Sequence, residues 1–173
     1  MPNTGFLALA EQRYSVRKFA TKQVEQVALE RILRAGQVAP TACNKQPQMT
    51  YVLRSPQAME KLRKCTTSHF NAPMALLVCY DSEQSWKRSF DGQDSGWVDA
   101  SIVAAHMMLA AHEKGVGSTW VMHFDPAAVR GEFALPDDEI PVAILVMGHP
   151  AEGDHPSRLH ADKKPLEMTV IDR

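Results

Sequence analysis

The stretch "VDASIVAAHMMLAAHEKGVGSTWV", residues 98–121, decides how the rest of the chain is read. From Val98 to Glu113, eleven of sixteen residues are Ala, Val, Ile, Leu or Met. A helix apolar nearly all round must be covered all round. In a small domain that places it at the centre, with a partner subunit as one source of cover. Gly115 and Gly117 end the helix, and "STWVMHF" (118–124) reads as a strand.

Working outward, two continuous apolar runs of strand length, "PMALLVCY" (73–80) and "PVAILVMG" (141–148), predict strands buried on both faces. "MTYVL" (49–53) is strand-like by its β-branched and aromatic content. Helices are expected over 4–12, over 22–37 from spacings of three and four among Val24, Val27, Ala28, Ile32 and Ala35, and over 56–64 behind Pro56. A further helix is expected over 126–133, with Asp125 as N-cap and Pro126 in its first turn. "PTACNKQPQ" (40–48) and the polar 81–96 read as loops, the latter as loop or lid. The alternation predicts an α/β or α+β sandwich around about four or five strands. The tail, 149–173, is rich in proline, histidine and charge. It reads either as a loose terminus or as an arm that lies on a partner.

The 173 residues fit one domain, with 45% hydrophobic and 23% charged residues. A net charge of −1 argues against a general nucleic-acid or membrane-surface binder. No window approaches a membrane-spanning length. Three widely spaced cysteines, without CxxC or zinc spacing, point to reduced thiols in a cytosol, so a cytoplasmic protein is expected.

Against that neutral background stands "RYSVRKF" (13–19), with no acidic residue from Arg13 to Lys22. On an extended backbone Arg13, Ser15 and Arg17 point to one side. Two guanidiniums and a hydroxyl suit a phosphate; a solvated basic turn is the bland alternative. The amides of Asn44 and Gln46 suit a heterocycle edge, or simply a turn. "GVGSTW" follows a helix and precedes a strand, the reverse of a dinucleotide-binding loop. Asp99, entering the apolar helix, is either a functional acid or a partner of the helix N-terminus. Nothing has the spacing of a metal site or of a nucleophile elbow.

In order along the chain, these motifs resemble those of the FMN-dependent nitroreductase family. "RYSVRKF" resembles its opening Arg-x-Ser-x-Arg/Lys-x-Phe. "APTACNKQP" (39–47) resembles its Ala-Pro-Ser/Thr-x-x-Asn-x-Gln-Pro loop. Residues 98–121 resemble its long helix and Gly-x-Gly-Ser turn, while "ILVMGHP" (144–150) and "KKPLEMTV" (163–170) resemble its last core strand and closing basic segment. The resemblance implies an α+β fold with a mostly antiparallel sheet, and a homodimer with FMN at the subunit interface. It implies that 149–173 is an arm on the partner. Arg13, Tyr14, Ser15 and Arg17 would hold the phosphate and polar side of FMN, with Lys163, Lys164 and Arg158 adding charge. Pro40, Thr41, Ala42, Asn44 and Gln46 would line the flavin from the second subunit, and Gly117 and Ser118 would lie near the ring. The implied activity is ping-pong hydride transfer from NADH or NADPH through flavin N5 to a nitroaromatic, quinone or similar flat acceptor, with no side chain as proton catalyst. The same motifs would serve a flavin-binding or sensing protein, or dehalogenase-type or flavin-cleaving chemistry.

Overall fold

The computed structural model describes residues 5–173. Residue 4, the first of the expected N-terminal helix, lies outside them. The elements are α1 (Phe6–Gln12), α2 (Gln26–Gln37), β1 (Gln48–Leu53), α3 (Pro56–Cys65), β2 (Met74–Asp81), α4 (Gly96–Glu113), β3 (Gly117–Val121), α5 (Pro126–Phe133) and β4 (Glu139–Gly148), with short 3₁₀ turns at 42–44, 158–160 and 166–168. The four strands pair in the order β1-β2-β4-β3, and each pairing is antiparallel. The fold is therefore α+β.

The apolar runs lie where a two-sided core requires them. Successive residues of a strand face opposite sides. Leu76 and Val78 of β2, with Leu145 and Met147 of β4, pack on Ile32 of α2 and on Val103 and Met107 of α4. Leu77 and Cys79, with Ile144 and Val146, pack on Leu62 of α3 and Val129 of α5. The two middle strands are covered on both faces, which is why neither shows a polar alternation. The register shifts between Val78 and Cys79, and Pro141 lies opposite Cys79. A residue without an N–H is tolerated in an inner strand at such an irregularity.

Local chemistry sets the helix ends. The Ser55 hydroxyl accepts the Ala58 amide at 3.1 Å, and an Asp125 oxygen accepts from Ala127 and Ala128 at 2.8 and 3.2 Å. Helix α2 starts at Gln26 rather than at residue 22, because Glu25 keeps an extended backbone. Lys22 pairs with Glu25 at 2.6 Å, and His149 reaches the same carboxylate at 3.0 Å.

The central helix buries Ala100, Val103, Ala104, Met107 and Ala111 on its own sheet and α2. Its other side is apolar yet open. Ile102, Ala105, His106 and Leu109, with Leu9 of α1 and Val38 beyond α2, line a groove of about 700 Å³.

The segment expected as loop or lid is cross-braced. Lys87 pairs with Asp94 at 2.9 Å, and Arg88 with Asp91 through two nitrogens at 2.8 and 2.5 Å. Phe90 stands 94% exposed between these braces.

The tail divides in two. Its first part lies on its own chain: Ala20 donates to the His149 carbonyl at 2.9 Å, and Ala151 to that of Lys18 at 3.0 Å. His160 meets the Glu11 carbonyl at 2.9 Å and the ring of Tyr14 edge-on at 6.3 Å. Residues 149–151 are thus held to their own chain by backbone pairing. Farther along, Leu166, Met168, Val170 and Ile171 are exposed.

Candidate functional site

The basic motif lies along the edge of β3. Ser15 bridges Ser118 in parallel, and the Val16 amide donates to the Ser118 carbonyl at 3.1 Å. The Thr119 hydroxyl donates to the Val16 carbonyl. Val16 itself is buried against Gly117, where a Cβ would come within 2.5 Å of Val16 Cγ2. The small residue at 117 lets the motif approach the sheet.

With Val16 turned inward, Arg17 stands exposed and lines a cleft of about 250 Å³ with Ser68, Phe70, Thr119, Trp120, Met122 and His123. Arg17 Nη1 reaches the Ser15 carbonyl at 3.3 Å. Arg13 closes α1, and its Nη1 is shut off from solvent with no hydrogen-bond partner. Among the described residues neither arginine forms an ion pair. A buried guanidinium nitrogen without an acceptor is costly unless something fills the role. The donors present therefore fit a phosphate. Burial, followed by the Asp154 carboxylate to which it hydrogen-bonds, pushes the Tyr14 hydroxyl up from its ordinary range.

The cleft wall also contains residues that sequence reasoning missed. Ser68, Phe70 and His123 come from distant segments, joined where the Thr66 hydroxyl donates to the His123 carbonyl and Asp125 donates to the Cys65 carbonyl at 2.9 Å. Phe70 and Asn71 both adopt left-handed backbone, φ 49° and 51°. Asn71 is a residue type that favours such a turn, but it carries no sign of a binding wall. Burial, followed by Arg63, lowers the His69 pKa and favours its neutral form. A second cleft, about 350 Å³, adjoins at His123 and is lined by Arg63, Lys64, Cys65 and Thr66 among others.

The loop from Pro40 to Pro47 is a tight, strained turn. Thr41 Oγ1 accepts the Gln46 amide at 3.0 Å, the Asn44 amide donates to the Thr41 carbonyl at 3.0 Å, and the Gln46 side chain reaches the Asn44 carbonyl at 3.3 Å. Cys43, Asn44 and Gln46 have φ of 50°, 54° and 51°. For residues with a Cβ such backbone persists only where surroundings impose it. The loop is fastened to the start of α4, where the Ala42 amide donates to Asp99 Oδ1 at 2.8 Å.

The expected site residues therefore fall into two groups. The motif of Arg13, Tyr14, Ser15 and Arg17 meets Gly117 and Ser118 through Ser15 and Val16, just beyond the C-terminal end of α4. Pro40, Thr41, Ala42, Asn44 and Gln46 sit at its N-terminal end. Asp99 and Glu113 are fourteen residues apart in the helix, which sets about 21 Å between the ends at 1.5 Å per residue. Arg158, Lys163 and Lys164 are exposed; the 158–160 turn lies beside Tyr14. Among the described residues no group of three or more His, Cys, Asp or Glu is placed to hold a metal.

Comparison with known proteins fits this geometry. The chain is similar to a nitroreductase family protein from Clostridium difficile 630, at 40% identity and a TM-score of 0.91, covering 97% of this chain and 98% of that one. It is similar to an FMN-dependent nitroreductase from Clostridium difficile R20291, at 26% identity and a TM-score of 0.77, covering 88% and 92%. It is 28% identical to an NADH dehydrogenase from Thermus thermophilus, over 94% of this chain and 93% of that one. The sequence model of the nitroreductase family matches residues 10–73 and 65–149, and on that match the chain belongs to the nitroreductase family.

Proposed function

We propose that residues 1–173 form one FMN-binding domain of a homodimeric, cytoplasmic NAD(P)H oxidoreductase that reduces a flat acceptor such as a nitroaromatic or a quinone. The observation that carries the cofactor assignment is the pair Arg13 and Arg17, laid along the β3 edge without a carboxylate partner and with one guanidinium nitrogen left unsatisfied.

In this reading Arg13 and Arg17 receive the phosphate through charge-assisted hydrogen bonds. Ser15 adds a neutral donor with Tyr14 beside it, Ser118 lies near the ring with Gly117, and Arg158, Lys163 and Lys164 add positive charge from the tail. The Gly117 backbone permits close approach, and Phe70, Trp120 and Met122 give the cleft an apolar wall. When bound, the flavin supplies the hydride chemistry, so the protein needs no acid or base of its own and contributes binding, orientation and charge. NADH or NADPH is the donor.

The dimer reading rests on the length of α4. One chain holds its basic motif and its 40–47 loop at opposite ends of that helix. Two chains with antiparallel α4 helices would bring the loop of one to the basic motif of the other. The open groove along α4 supports such a partner. An apolar surface of this kind is characteristic of an interface. The three free thiols fit a reducing compartment.

Steady-state oxidation of NADH and NADPH by FMN-loaded protein, with a quinone or nitroaromatic added, tests the activity. Acceptor-dependent turnover supports the reading. Flavin binding without turnover would leave a binding protein.

A further inference from the structure

Asp99 is 2% exposed, and the FMN reading gives it no role. Both of its oxygens are used. Oδ1 accepts the Ala42 amide at 2.8 Å, and Oδ2 accepts the Ser95 hydroxyl at 2.8 Å. Ser95 occupies the N-cap position of α4, and Asp99 lies in the first turn, where an acidic side chain is favoured by the helix dipole. The carboxyl group thus joins a fixed point, the start of the central helix, to a loop that carries three left-handed residues with a Cβ. The turn's internal bonds, from Gln46 to Thr41 and from Asn44 to Thr41, shape the loop but do not fasten it to the body of the protein. The Ala42–Asp99 bond fastens its middle, while the Pro47 carbonyl, accepting the Asp81 amide at 2.8 Å, ties its far end to β2.

We infer that Asp99 is a positioning residue for the cofactor: it holds the Pro40–Gln46 loop in the conformation that receives the flavin, and so sets flavin affinity without touching the flavin. This rests on the FMN reading above. In a dimer that shares its sites, the Asp99 of one subunit would tune flavin retention at the site of the other.

The bond can be cut from either end. Asp99→Ala removes the acceptor. Ala42→Pro removes the donor while leaving a residue suited to the first position of the 42–44 turn, behind an extended Thr41. Asp99→Asn keeps an oxygen for Ala42 and offers an N–H to Ser95. FMN dissociation constants by fluorescence titration, with the melting temperature of each apoprotein, form the test. Asp99→Ala and Ala42→Pro should each weaken FMN about tenfold, the effect of one hydrogen bond to a charged group. The double variant should go no further, and Asp99→Asn should stay within about threefold of wild type, since shared effects are not additive. Each apoprotein should melt somewhat lower, since a buried hydrogen bond is lost, and the affinity is read well below those melting temperatures, on folded protein. Wild-type affinity in Ala42→Pro or Asp99→Ala overturns the inference, as does a loss confined to temperatures at which the apoprotein is already unfolding. Wild-type protein that takes up no FMN would instead overturn the reading on which the inference rests.

Discussion

Val16 and Ser118 are joined by an amide-to-carbonyl hydrogen bond of 3.1 Å, which lays the basic motif along the edge of β3. The approach depends on position 117 having no side chain, since a Cβ there would lie 2.5 Å from Val16 Cγ2. Gly117→Ala should force the two segments apart and cost about 1–3 kcal/mol, the usual range for overpacking. Urea unfolding should show a lower midpoint with an unchanged slope, and FMN should bind more weakly. An unchanged midpoint would mean that the motif is not packed this way.

Arg17 is exposed at the cleft and has no carboxylate to neutralise it. Arg17→Ala should weaken FMN by about 1.5–3 kcal/mol, the range for a hydrogen bond to a charged group. The loss should shrink at high salt, because exposed charges are screened. Unchanged affinity in a titration would remove Arg17 from the phosphate seat.

The separation of the loop from the basic motif along α4 gives a test by complementation. Subunits carrying Arg17→Ala would be mixed with subunits carrying Asn44→Ala. If each site takes Arg17 from one chain and Asn44 from the other, both lesions fall in one site of the mixed dimer and the second site is intact. Half of the sites in the mixed dimers, about a quarter of all sites after random re-pairing, should then bind FMN as wild type does. If both residues served the same chain's site, no wild-type site would form. A monodisperse monomer that still holds flavin, seen by light scattering, would also defeat the shared site.

The three thiols should separate by reactivity. Cys43 is exposed in the loop, whereas Cys65 and Cys79 are buried. A thiol reagent should label Cys43 in the native protein and the other two only on unfolding, and FMN should slow the Cys43 reaction. Burial, followed by the charge of Glu139 and against that of Arg130, pushes the Cys79 thiol from 9.0 up to about 12. The native state thus favours the protonated thiol. That stabilisation is complete below pH 9 and is lost as the pH rises toward about 12. Cys79→Ala should flatten the alkaline fall in stability measured by denaturant unfolding. An alkaline slope identical to wild type would contradict the assignment.

Much of this fold can be read along the chain because its key elements are buried on two sides. Leu76 to Cys79 and Val142 to Met147 have no polar alternation to obscure them. In α5 the Asp125-Pro126 pair states its own start. The N-terminal boundary of α2 was less legible, because Lys22 and Glu25 satisfy each other outside the helix. For the site, Arg13, Ser15 and Arg17 were visible as a local pattern. Ser68, Phe70 and His123 were not, since they become neighbours of Arg17 only through the pairing of distant segments. Asp99 could be placed on the helix but not given a partner, because Ala42 is fifty-seven residues away. The composition of the 149–173 tail fits both a loose terminus and an arm on a partner, and it hides how the first residues are held. Their backbone pairing with Lys18 and Ala20 leaves no trace in composition.

The central claim is that this chain binds FMN as a cofactor that NAD(P)H reduces. The most direct measurement is the visible spectrum of the purified protein, loaded with FMN and freed of excess, before and after NADH or NADPH is added without air. The account predicts a yellow protein that bleaches with one of the two donors and recovers its colour when a quinone is added. A protein that stays colourless after incubation with FMN, or one that holds FMN and bleaches with neither donor, would contradict it.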